Sequence, residues 1–236
     1  MAGKSLAEWL EWQETLNPAE IDLGLDRIRE LVSRLKIKPP PGHVFTIAGT
    51  NGKGSCAAVI AGILRNSGLK VGVYSSPHLV HYNERINVNG EPASDSELVG
   101  AFETIEAVRG DLPLTYFEFG TLAAWLVFLA RDCDAWVLEI GLGGRLDAVN
   151  AIDADYGVIT TIGLEHQDWL GDSIEAIAAE KAGIIRTNQP VFYGDTPVPA
   201  SIRQHADDVG ARLNCLGEDF SYALAASDWS WQGQTV

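Results

Sequence analysis

The stretch Thr46-Ile47-Ala48-Gly49-Thr50-Asn51-Gly52-Lys53-Gly54-Ser55 decides the fold of this chain. An apolar run precedes it, and apolar residues at helical spacing follow it over 56–64. A strand, a glycine-rich turn and a helix in this order hold phosphate groups, because backbone N–H groups and the positive end of the helix dipole face the anion. Glycines let the backbone approach the oxygens without an intervening Cβ. The stretch therefore predicts a nucleotide-phosphate site.

Within this loop, Lys53 is expected to reach the β- and γ-phosphates, and the Ser55 hydroxyl to lie near Mg²⁺. The formal P-loop pattern G-x-x-x-x-G-K-[ST] is not met, because residue 47 is isoleucine and a glycine follows the lysine. A glycine-rich turn that binds nothing is the alternative interpretation. The flanking strand and helix favour nucleotide binding by the whole loop: Gly49, Thr50, Asn51, Gly52, Lys53, Gly54 and Ser55.

The composition excludes some classes of partner. With 17 Lys and Arg residues against 32 Asp and Glu residues, the net charge is −15, and so acidic a body repels nucleic acid. An anionic ligand then needs a locally cationic pocket, which the loop around Lys53 provides. The 236 residues are enough for one α/β domain, or for one domain and part of a second.

The sequence also favours a cytoplasmic protein. Cys56, Cys133 and Cys215 share no metal-binding or redox spacing, and we expect them to be reduced thiols. The N-terminus lacks the apolar core of a signal peptide. The longest apolar run, over 122–130, is too short to span a bilayer, so no membrane partner is expected.

Strands and helices alternate along the chain, which predicts an α/β fold with a mostly parallel sheet flanked by helices. From residue 211 onward the pattern becomes β-like and rich in tryptophan, which predicts a small β extension at the C-terminal end. A hairpin is expected over 84–91, with its turn at Asn89-Gly90, and a helix-capping box at Ser94 and Glu97. The predicted helices cover 4–16, 25–35, 53–66, 94–108, 117–131, 173–184 and 201–209, and the predicted strands 44–48, 71–75, 135–140, 156–162 and 190–193.

Polar side chains follow three of the predicted strands. Ser76 follows one strand, Glu139 lies at the end of another, and His166 follows a third. Taken singly, a carboxylate at a strand end is usually a turn or helix cap, and a lone histidine is usually a surface residue. The carboxyl ends of parallel strands, however, meet at the edge of the sheet where ligands bind. We therefore expect these side chains to hold Mg²⁺ together with phosphate oxygens and water.

For three further groups of residues, the sequence alone permits more than one interpretation. Gly143-Gly144-Arg145 sets a guanidinium beside bare backbone, an arrangement suited to a carboxylate or a phosphate. Tyr116, Phe117 and Phe119 have the spacing of a wall for a flat ring, but also that of a hydrophobic core, which is the commoner role. Glu180-Lys181 lies inside a predicted helix, and from propensity alone we expect it on the solvated face.

Five motifs, in order along nearly the whole chain, resemble the folate branch of the Mur ligase superfamily, and most closely its bifunctional dihydrofolate synthase/folylpolyglutamate synthases. The resemblance implies the P-loop NTPase-like central domain of the Mur ligases, and we expect a monomer. The motifs are Gly49-Thr50-Asn51-Gly52-Lys53-Gly54-Ser55, Tyr74-Ser75-Ser76-Pro77-His78-Leu79, Thr115-Tyr116-Phe117-Glu118-Phe119, Leu138-Glu139-Ile140-Gly141-Leu142-Gly143-Gly144-Arg145-Leu146-Asp147-Ala148 and Glu180-Lys181-Ala182-Gly183-Ile184.

This resemblance implies an ATP-dependent amide ligase that joins L-glutamate to dihydropteroate, to reduced folate (poly)glutamates, or to both. The pteroate or folate carboxylate attacks the ATP γ-phosphate and gives an acyl phosphate. The amine of L-glutamate then attacks the acyl carbonyl, and phosphate leaves. Two Mg²⁺ ions neutralise charge between the two anions that must meet.

The resemblance also assigns roles to single residues. Residues 50–53 and Ser55 bind the triphosphate, while Ser76, Glu139 and His166 match Mg²⁺ ligands. Lys181 matches a lysine carbamylated by CO₂, whose carboxylate helps to hold the second Mg²⁺, and this replaces the solvated-face interpretation. The expected catalytic residues are Lys53, His166 and Lys181. The expected pterin-acid site consists of Asp22, Leu23, Gly24, Leu25, Thr115, Tyr116, Phe117, Glu118, Arg145, Leu146, Asp147 and Ala148.

The chain departs from the family pattern in three ways. Glu165 stands where the family usually has Asp before the histidine, and Val149 stands where Thr is common. Family members also carry a second α/β domain, which contributes to the ATP and glutamate sites, and this chain ends before it. We therefore expect residues 1–236 to form the N-terminal ATP- and pterin-binding domain, with little or no ligase turnover alone.

Three other functions remain open at the level of sequence. The first is a Mur-type ligase for peptidoglycan precursors, against which residues 115–119 and Gly54 argue. The second is a non-catalytic nucleotide-binding module, which separate titrations with Mg·ATP and dihydropteroate distinguish from a ligase domain. The third is a P-loop kinase or GTPase, although the base-specificity motif N-K-x-D is missing.

Overall fold

The computed structural model describes residues 3–17, 19, 21–225 and 228–233. Within these ranges, no helix combines the length and the apolar character that crossing a bilayer requires. The strands are β1 (Val44–Ala48), β2 (Val71–Tyr74), β3 (Ile86–Val88), β4 (Glu91–Pro92), β5 (Ala135–Glu139), β6 (Tyr156–Ile159), β7 (Pro190–Tyr193), β8 (Arg212–Cys215), β9 (Phe220–Leu224) and β10 (Trp229–Gly233).

Eight of these strands form one sheet in the order β4-β3-β2-β5-β1-β6-β7-β8, which confirms the predicted fold class. The strands β2, β5, β1, β6, β7 and β8 are parallel, whereas β3 and β4 pair antiparallel at one edge. The strand that leads into the phosphate loop, β1, therefore lies inside the sheet between β5 and β6. The strands β9 and β10 pair separately and form the predicted β extension.

Helices cover both faces of the sheet, because strand residues alternate between two apolar layers. In β5, Trp136 and Leu138 belong to one buried cluster, while Ala135 and Val137 belong to the other. The second cluster is built with α3, and the first with α1, α2, α4 and α5. The helices are α1 (Leu6–Glu14), α2 (Asp26–Leu35), α3 (Lys53–Asn66), α4 (Asp95–Arg109), α5 (Tyr116–Ala130), α6 (Gln167–Leu170), α7 (Ile174–Ala182) and α8 (Ala200–Val209).

Two local predictions are confirmed in detail. The hairpin turn consists of Asn89 and Gly90, with φ of 55° and 92°, and two positive values are what a two-residue hairpin turn of this twist requires. The capping box at the start of α4 is present, with Ser94 and Glu97 each bonding the backbone of the other.

The structure differs from the sequence prediction at three places. The strand predicted over 156–162 ends at Ile159, because residues 160–163 turn onto the phosphate loop. The short helix α6 was not predicted. The β-like stretch predicted from residue 211 onward divides in two: β8 joins the main sheet as its eighth strand by pairing in parallel with β7, and β9 and β10 form the separate extension.

Candidate active site

The phosphate loop joins β1 to α3, and glycines permit its conformation. Gly49 has φ of 143°, and a Cβ at this position would lie 1.9 Å from Thr160 Oγ1. Gly52, with φ of 83°, precedes Lys53, the first residue of α3. The N-terminus of a fourteen-residue helix therefore opens directly onto the loop.

Two threonines after β6 hold the other side of the loop. Thr160 Oγ1 donates to the Asn51 carbonyl at 2.7 Å, and Thr161 Oγ1 accepts the Asn51 N–H at 3.0 Å. The Thr50 N–H donates to the Thr161 carbonyl at 2.8 Å. These contacts join the turn after β1 to the turn after β6, so the shape of the loop depends on both central strands.

Lys53 Nζ lies within the loop itself, where it donates to the carbonyl oxygens of Gly49 at 2.8 Å and Thr50 at 3.2 Å. Its side chain is half-buried and lines the cavity described below. The Lys53 ammonium is thus held in place by the backbone of the loop.

Ser76 and Glu139, from neighbouring strand ends, are in contact. The Ser76 N–H donates to Glu139 Oε2 at 3.1 Å. A Cβ built on Gly54 would lie 3.7 and 3.8 Å from the two Glu139 carboxylate oxygens, so this carboxylate lies against the phosphate loop. Burial raises the pKa of Glu139, while the Ser76 N–H and the charge of Lys53 act in the opposite direction. A nearly buried carboxylate of this kind suits a cation.

His166 follows the same turn as Thr160 and Thr161 and has left-handed backbone angles, with φ of 46° and ψ of 41°. Its side chain is exposed, and it lines the cavity together with Lys53 and Ser76. The structure therefore brings the three strand-end residues Ser76, Glu139 and His166 to the phosphate-loop edge of the sheet.

Lys181 is buried, with an exposed fraction of only 1%. The solvated-face expectation for this residue was wrong, because α7 turns Lys181 inward while Glu180 pairs with Arg145. Lys181 Nζ lies 2.6 Å from Glu165 Oε1. Burial lowers the pKa of Lys181, and the contact with Glu165 partly offsets that effect. Burial raises the pKa of Glu165, but the contact with Lys181, together with Thr50 and the charge of Lys53, more than offsets burial, so the pKa of that carboxyl is lowered.

A cavity of about 500 Å³ extends from the phosphate loop to the start of α5. It is open to solvent and mainly apolar, with polar groups at both ends. The sequence-predicted residues that line it are Asp22, Leu23, Gly24, Thr50, Lys53, Ser76, Thr115, Phe117, Glu118, Leu146, Asp147, Ala148 and His166.

Three predicted substrate residues do not line this cavity. Leu25 is buried in the core at the start of α2. The Tyr116 ring packs edge-on against Tyr82, with 5.6 Å between the ring centroids. Arg145 forms an ion pair with Glu180 at 2.8 Å and is largely exposed.

The end of the cavity away from the phosphate loop is rich in carboxylates. Arg27 pairs with both Asp22, at 2.7 Å, and Glu118, at 3.2 Å. Burial raises the pKa of Glu118, against the opposing effects of the Thr115 N–H and Arg27. Arg27 was not predicted, because it joins two segments that are far apart in the chain.

Asp147, which also lines the cavity, is almost completely buried. It accepts N–H groups from Gly141 at 3.1 Å, Leu142 at 2.9 Å and Val149 at 2.9 Å. Burial raises the pKa of Asp147 to about 7, although the three backbone donors favour the ionised form. Both carboxylate oxygens accept backbone N–H groups, so the Asp147 carboxyl is held in one orientation at the cavity wall.

The donors at the loop end fit a divalent cation only in combination with ligand oxygens. Across the part of the chain that the structure describes, no three His, Cys, Asp or Glu side chains form a ready metal cluster. Ser76, Glu139 and His166 supply one hydroxyl, one carboxylate and one imidazole. Two of these donors are the hard oxygens that Mg²⁺ prefers and the imidazole nitrogen is a softer one; phosphate oxygens and water would complete such a set.

The fold and this site define the chain as an α/β domain of the P-loop type, in which a glycine-rich loop after the central strand opens onto a ligand cavity. The Mur ligase middle domain matches residues 47–219, and the chain belongs to this family.

Individual proteins and solved structures also resemble this chain closely. The chain is 46% identical over 230 residues to the dihydrofolate synthase/folylpolyglutamate synthase of Escherichia coli K12, covering 98% of this chain and 54% of that protein. A structure of E. coli FolC in complex with DHPP and ADP matches with a TM-score of 0.96, 46% identity, and coverage of 99% of this chain and 56% of the other. A bifunctional folylpolyglutamate synthase/dihydrofolate synthase with Mn, AMPPNP and L-glutamate bound matches with a TM-score of 0.92, 44% identity, and coverage of 99% and 56%. The chain thus spans about half the length of these relatives.

Proposed function

We propose that this chain is the ATP- and pterin-acid-binding part of an ATP-dependent ligase that joins L-glutamate to dihydropteroate or to reduced folate (poly)glutamates. One observation carries the proposal: a single cavity connects the phosphate loop with a carboxylate-rich pocket that the Phe117 ring also lines. The names of the relatives, and the nucleotide, DHPP and L-glutamate bound in the related structures, support it. A cytoplasmic monomer without nucleic-acid or membrane partners belongs to the same proposal.

The loop end of the cavity binds the triphosphate of ATP. Backbone N–H groups at the start of α3 and the Lys53 ammonium supply the positive field, and Ser55 adds a hydroxyl. Phosphoryl transfer depends mainly on positioning and on charge stabilisation, and these groups provide both. Gly49 and Gly52 have no Cβ, so the loop backbone can come close to the phosphate oxygens.

The other end binds the pterin ring. A 2-aminopyrimidine presents N–H donors, and Asp22, Glu118 and Asp147 are carboxylates that accept them. Phe117 lines the cavity and offers an aromatic face to a flat ring. Arg27 holds Asp22 and Glu118 in place, so this pocket is organised before the ligand arrives.

Ser76, Glu139 and His166 would hold Mg²⁺, with Lys181 as a carbamate at the second metal position. When bound, the ions would neutralise phosphate charge during attack by the substrate carboxylate. Glu139 is nearly buried and has no ion-pair partner among the described residues, which is the observation that fits a cation there. Carbamylation of Lys181 remains a prediction, which the mass of the intact protein tests through the gain of one CO₂.

The ligation follows from this arrangement. A carboxylate oxygen of the pterin acid bonds to the γ-phosphorus as the bond to ADP breaks. The amine of L-glutamate then attacks the acyl carbon, loses a proton and expels phosphate. The carboxylate must therefore lie at the boundary between the two ends of the cavity.

Isothermal titration with Mg·ATP and with dihydropteroate, each alone, tests the proposal. We expect both ligands to bind, and Lys53→Ala to weaken ATP binding by about 10–100-fold, because a charge-assisted contact is lost. Lys38→Ala, at an exposed lysine distant from the loop, serves as the matched control and should leave both affinities unchanged. Binding of ATP without dihydropteroate favours the alternative function, a nucleotide-binding module. Unchanged ATP affinity in Lys53→Ala removes the loop from the proposal.

A further inference from the structure

The charged groups that line the cavity are almost all satisfied by the protein itself. Asp22 and Glu118 share Arg27, and Asp147 accepts three backbone N–H groups. Glu165 pairs with Lys181. These acids therefore carry protein partners before any ligand binds.

Two cationic side chains line the same cavity, Lys53 and Arg85. Lys53 is held by carbonyl oxygens of the phosphate loop. Arg85, by contrast, forms no ion pair with any carboxylate in the described part of the chain. In a chain with a net charge of −15, an arginine that faces a ligand cavity without an acidic partner is an unusual feature.

The position of Arg85 is fixed by its surroundings. Its Nε donates to His78 Nδ1 at 2.8 Å. The guanidinium carbon lies 5.6 Å from the Tyr82 ring centroid and 5.8 Å from that of Tyr116, within the range of cation–π attraction. Two aromatic rings and one imidazole therefore hold the guanidinium, so little conformational entropy remains to be lost when a ligand binds.

Arg85 is adjacent to the phosphate-loop end of the cavity. Its carbonyl accepts the Ser75 N–H at 2.9 Å, so it lies alongside the Ser75-Ser76 strand end. Ser76 in turn contacts Glu139, which lies against Gly54 of the loop. The Arg85 backbone therefore lies beside the phosphate-loop edge of the sheet, and its side chain reaches from there to Tyr116 at the start of α5, along the cavity that joins the two ends.

We propose that Arg85 binds the carboxylate of the acid substrate and holds it in front of the phosphate loop. This inference rests on the proposed function and specifies one contact within it. A guanidinium matches a carboxylate with two parallel N–H···O bonds, which fix the orientation of the carboxylate as well as its position. Because arginine keeps its proton, it lowers the repulsion between carboxylate and triphosphate without taking part in proton transfer.

The test pairs a change in the protein with a change in the ligand. Dihydropteroate and its carboxamide, in which the carboxylate is replaced by a neutral amide, are titrated into the unaltered chain, Arg85→Met and Arg85→Lys. We expect Arg85→Met to weaken dihydropteroate binding by about 10–100-fold and to leave carboxamide binding unchanged, because only the acid loses a charge-assisted contact. Arg85→Lys should show an intermediate loss, since it keeps the charge but not the planar fork.

Two controls complete the experiment. Arg29→Met, at an exposed arginine of α2 outside the cavity, should bind both ligands as the unaltered chain does. Mg·ATP affinity should be the same in Arg85→Met and in the unaltered chain, which also shows that the variant is folded.

The possible outcomes separate the two proposals. Equal losses for acid and amide, or no loss for either, overturn the role of Arg85 while leaving the pterin site in place. A parallel loss of ATP affinity would assign Arg85 to the nucleotide and also overturn the inference. If the unaltered chain binds neither pterin ligand, the proposed function itself fails, and the inference fails with it.

Discussion

Lys181 and Glu165 form the most enclosed ion pair at the site. The lysine side chain is 2% exposed and the glutamate side chain 20% exposed, with 2.6 Å between Nζ and Oε1. Removing one partner of such a pair leaves the other charge without a partner. The resulting loss in the free energy of unfolding is larger than the stabilisation that the intact pair contributes. Conversion of Lys181 to a carbamate would set two anions side by side, so a modified lysine requires cations at this position.

A double-mutant cycle measures this pair. We expect Lys181→Met to lower the free energy of unfolding by about 2–3 kcal/mol, because the Glu165 carboxylate loses its buried partner. Lys181→Met combined with Glu165→Gln should recover part of that loss, with a coupling energy of about 1–2 kcal/mol. Urea unfolding provides the measurement.

The exposed pair Arg34–Glu30, at 2.9 Å on the surface of α2, is the matched control and should couple by about 0.5 kcal/mol or less. A Lys181–Glu165 coupling no larger than that of the surface pair would contradict the argument.

The connection from β1 to α3 is the element whose shape the site most depends on. Gly49 has no room for a side chain, since a Cβ there would overlap Thr160 Oγ1, whose hydroxyl supports the Asn51 carbonyl. Any side chain at position 49 must therefore separate the turn after β1 from the turn after β6.

Two glycine substitutions test this element. We expect Gly49→Ala to lower the free energy of unfolding by about 1–3 kcal/mol and to abolish measurable ATP binding, because the loop is displaced. Gly62→Ala, within α3 where a Cβ would meet no atom within 4 Å, should raise stability by about 0.5–1 kcal/mol and leave ATP binding intact. ATP binding by Gly49→Ala as tight as that of Gly62→Ala would refute the geometry.

The sequence predicts the helices and strands that are determined by their own pattern of apolar residues. Most helices and strands lie within two residues of their predicted ranges, since capping residues and apolar spacing determine them. The edge strand β8 and the early end of β6 depend instead on contacts with distant segments. The same division holds in the site: the loop, Ser76 and Glu139 follow from strand ends, whereas Arg27 and Arg85 gain their roles only when separate elements pack together.

At the scale of the whole molecule, ligand binding should appear as thermal stability. A nucleotide that binds the folded state only, at about 100 times its Kd, adds about 2.7 kcal/mol to the free energy of unfolding. For a chain of this size we therefore expect Mg·ATP to raise Tm by about 5–10 °C.

Differential scanning calorimetry checks that expectation. Lys53→Ala at the same nucleotide concentration should show a much smaller rise, and MgCl₂ alone should give almost none. An equal rise for Lys53→Ala and the unaltered chain would mean that the nucleotide stabilises the fold from another site.

The phosphate loop begins on a strand that has hydrogen-bonded neighbours on both sides. Amides of β1 therefore exchange with solvent mainly when the entire sheet opens, rather than by fraying of an edge. The proposed nucleotide pocket is therefore lost when the whole domain unfolds. A destabilising substitution anywhere in the core enlarges the population of molecules without this pocket, even where the substituted residue does not contact the pocket.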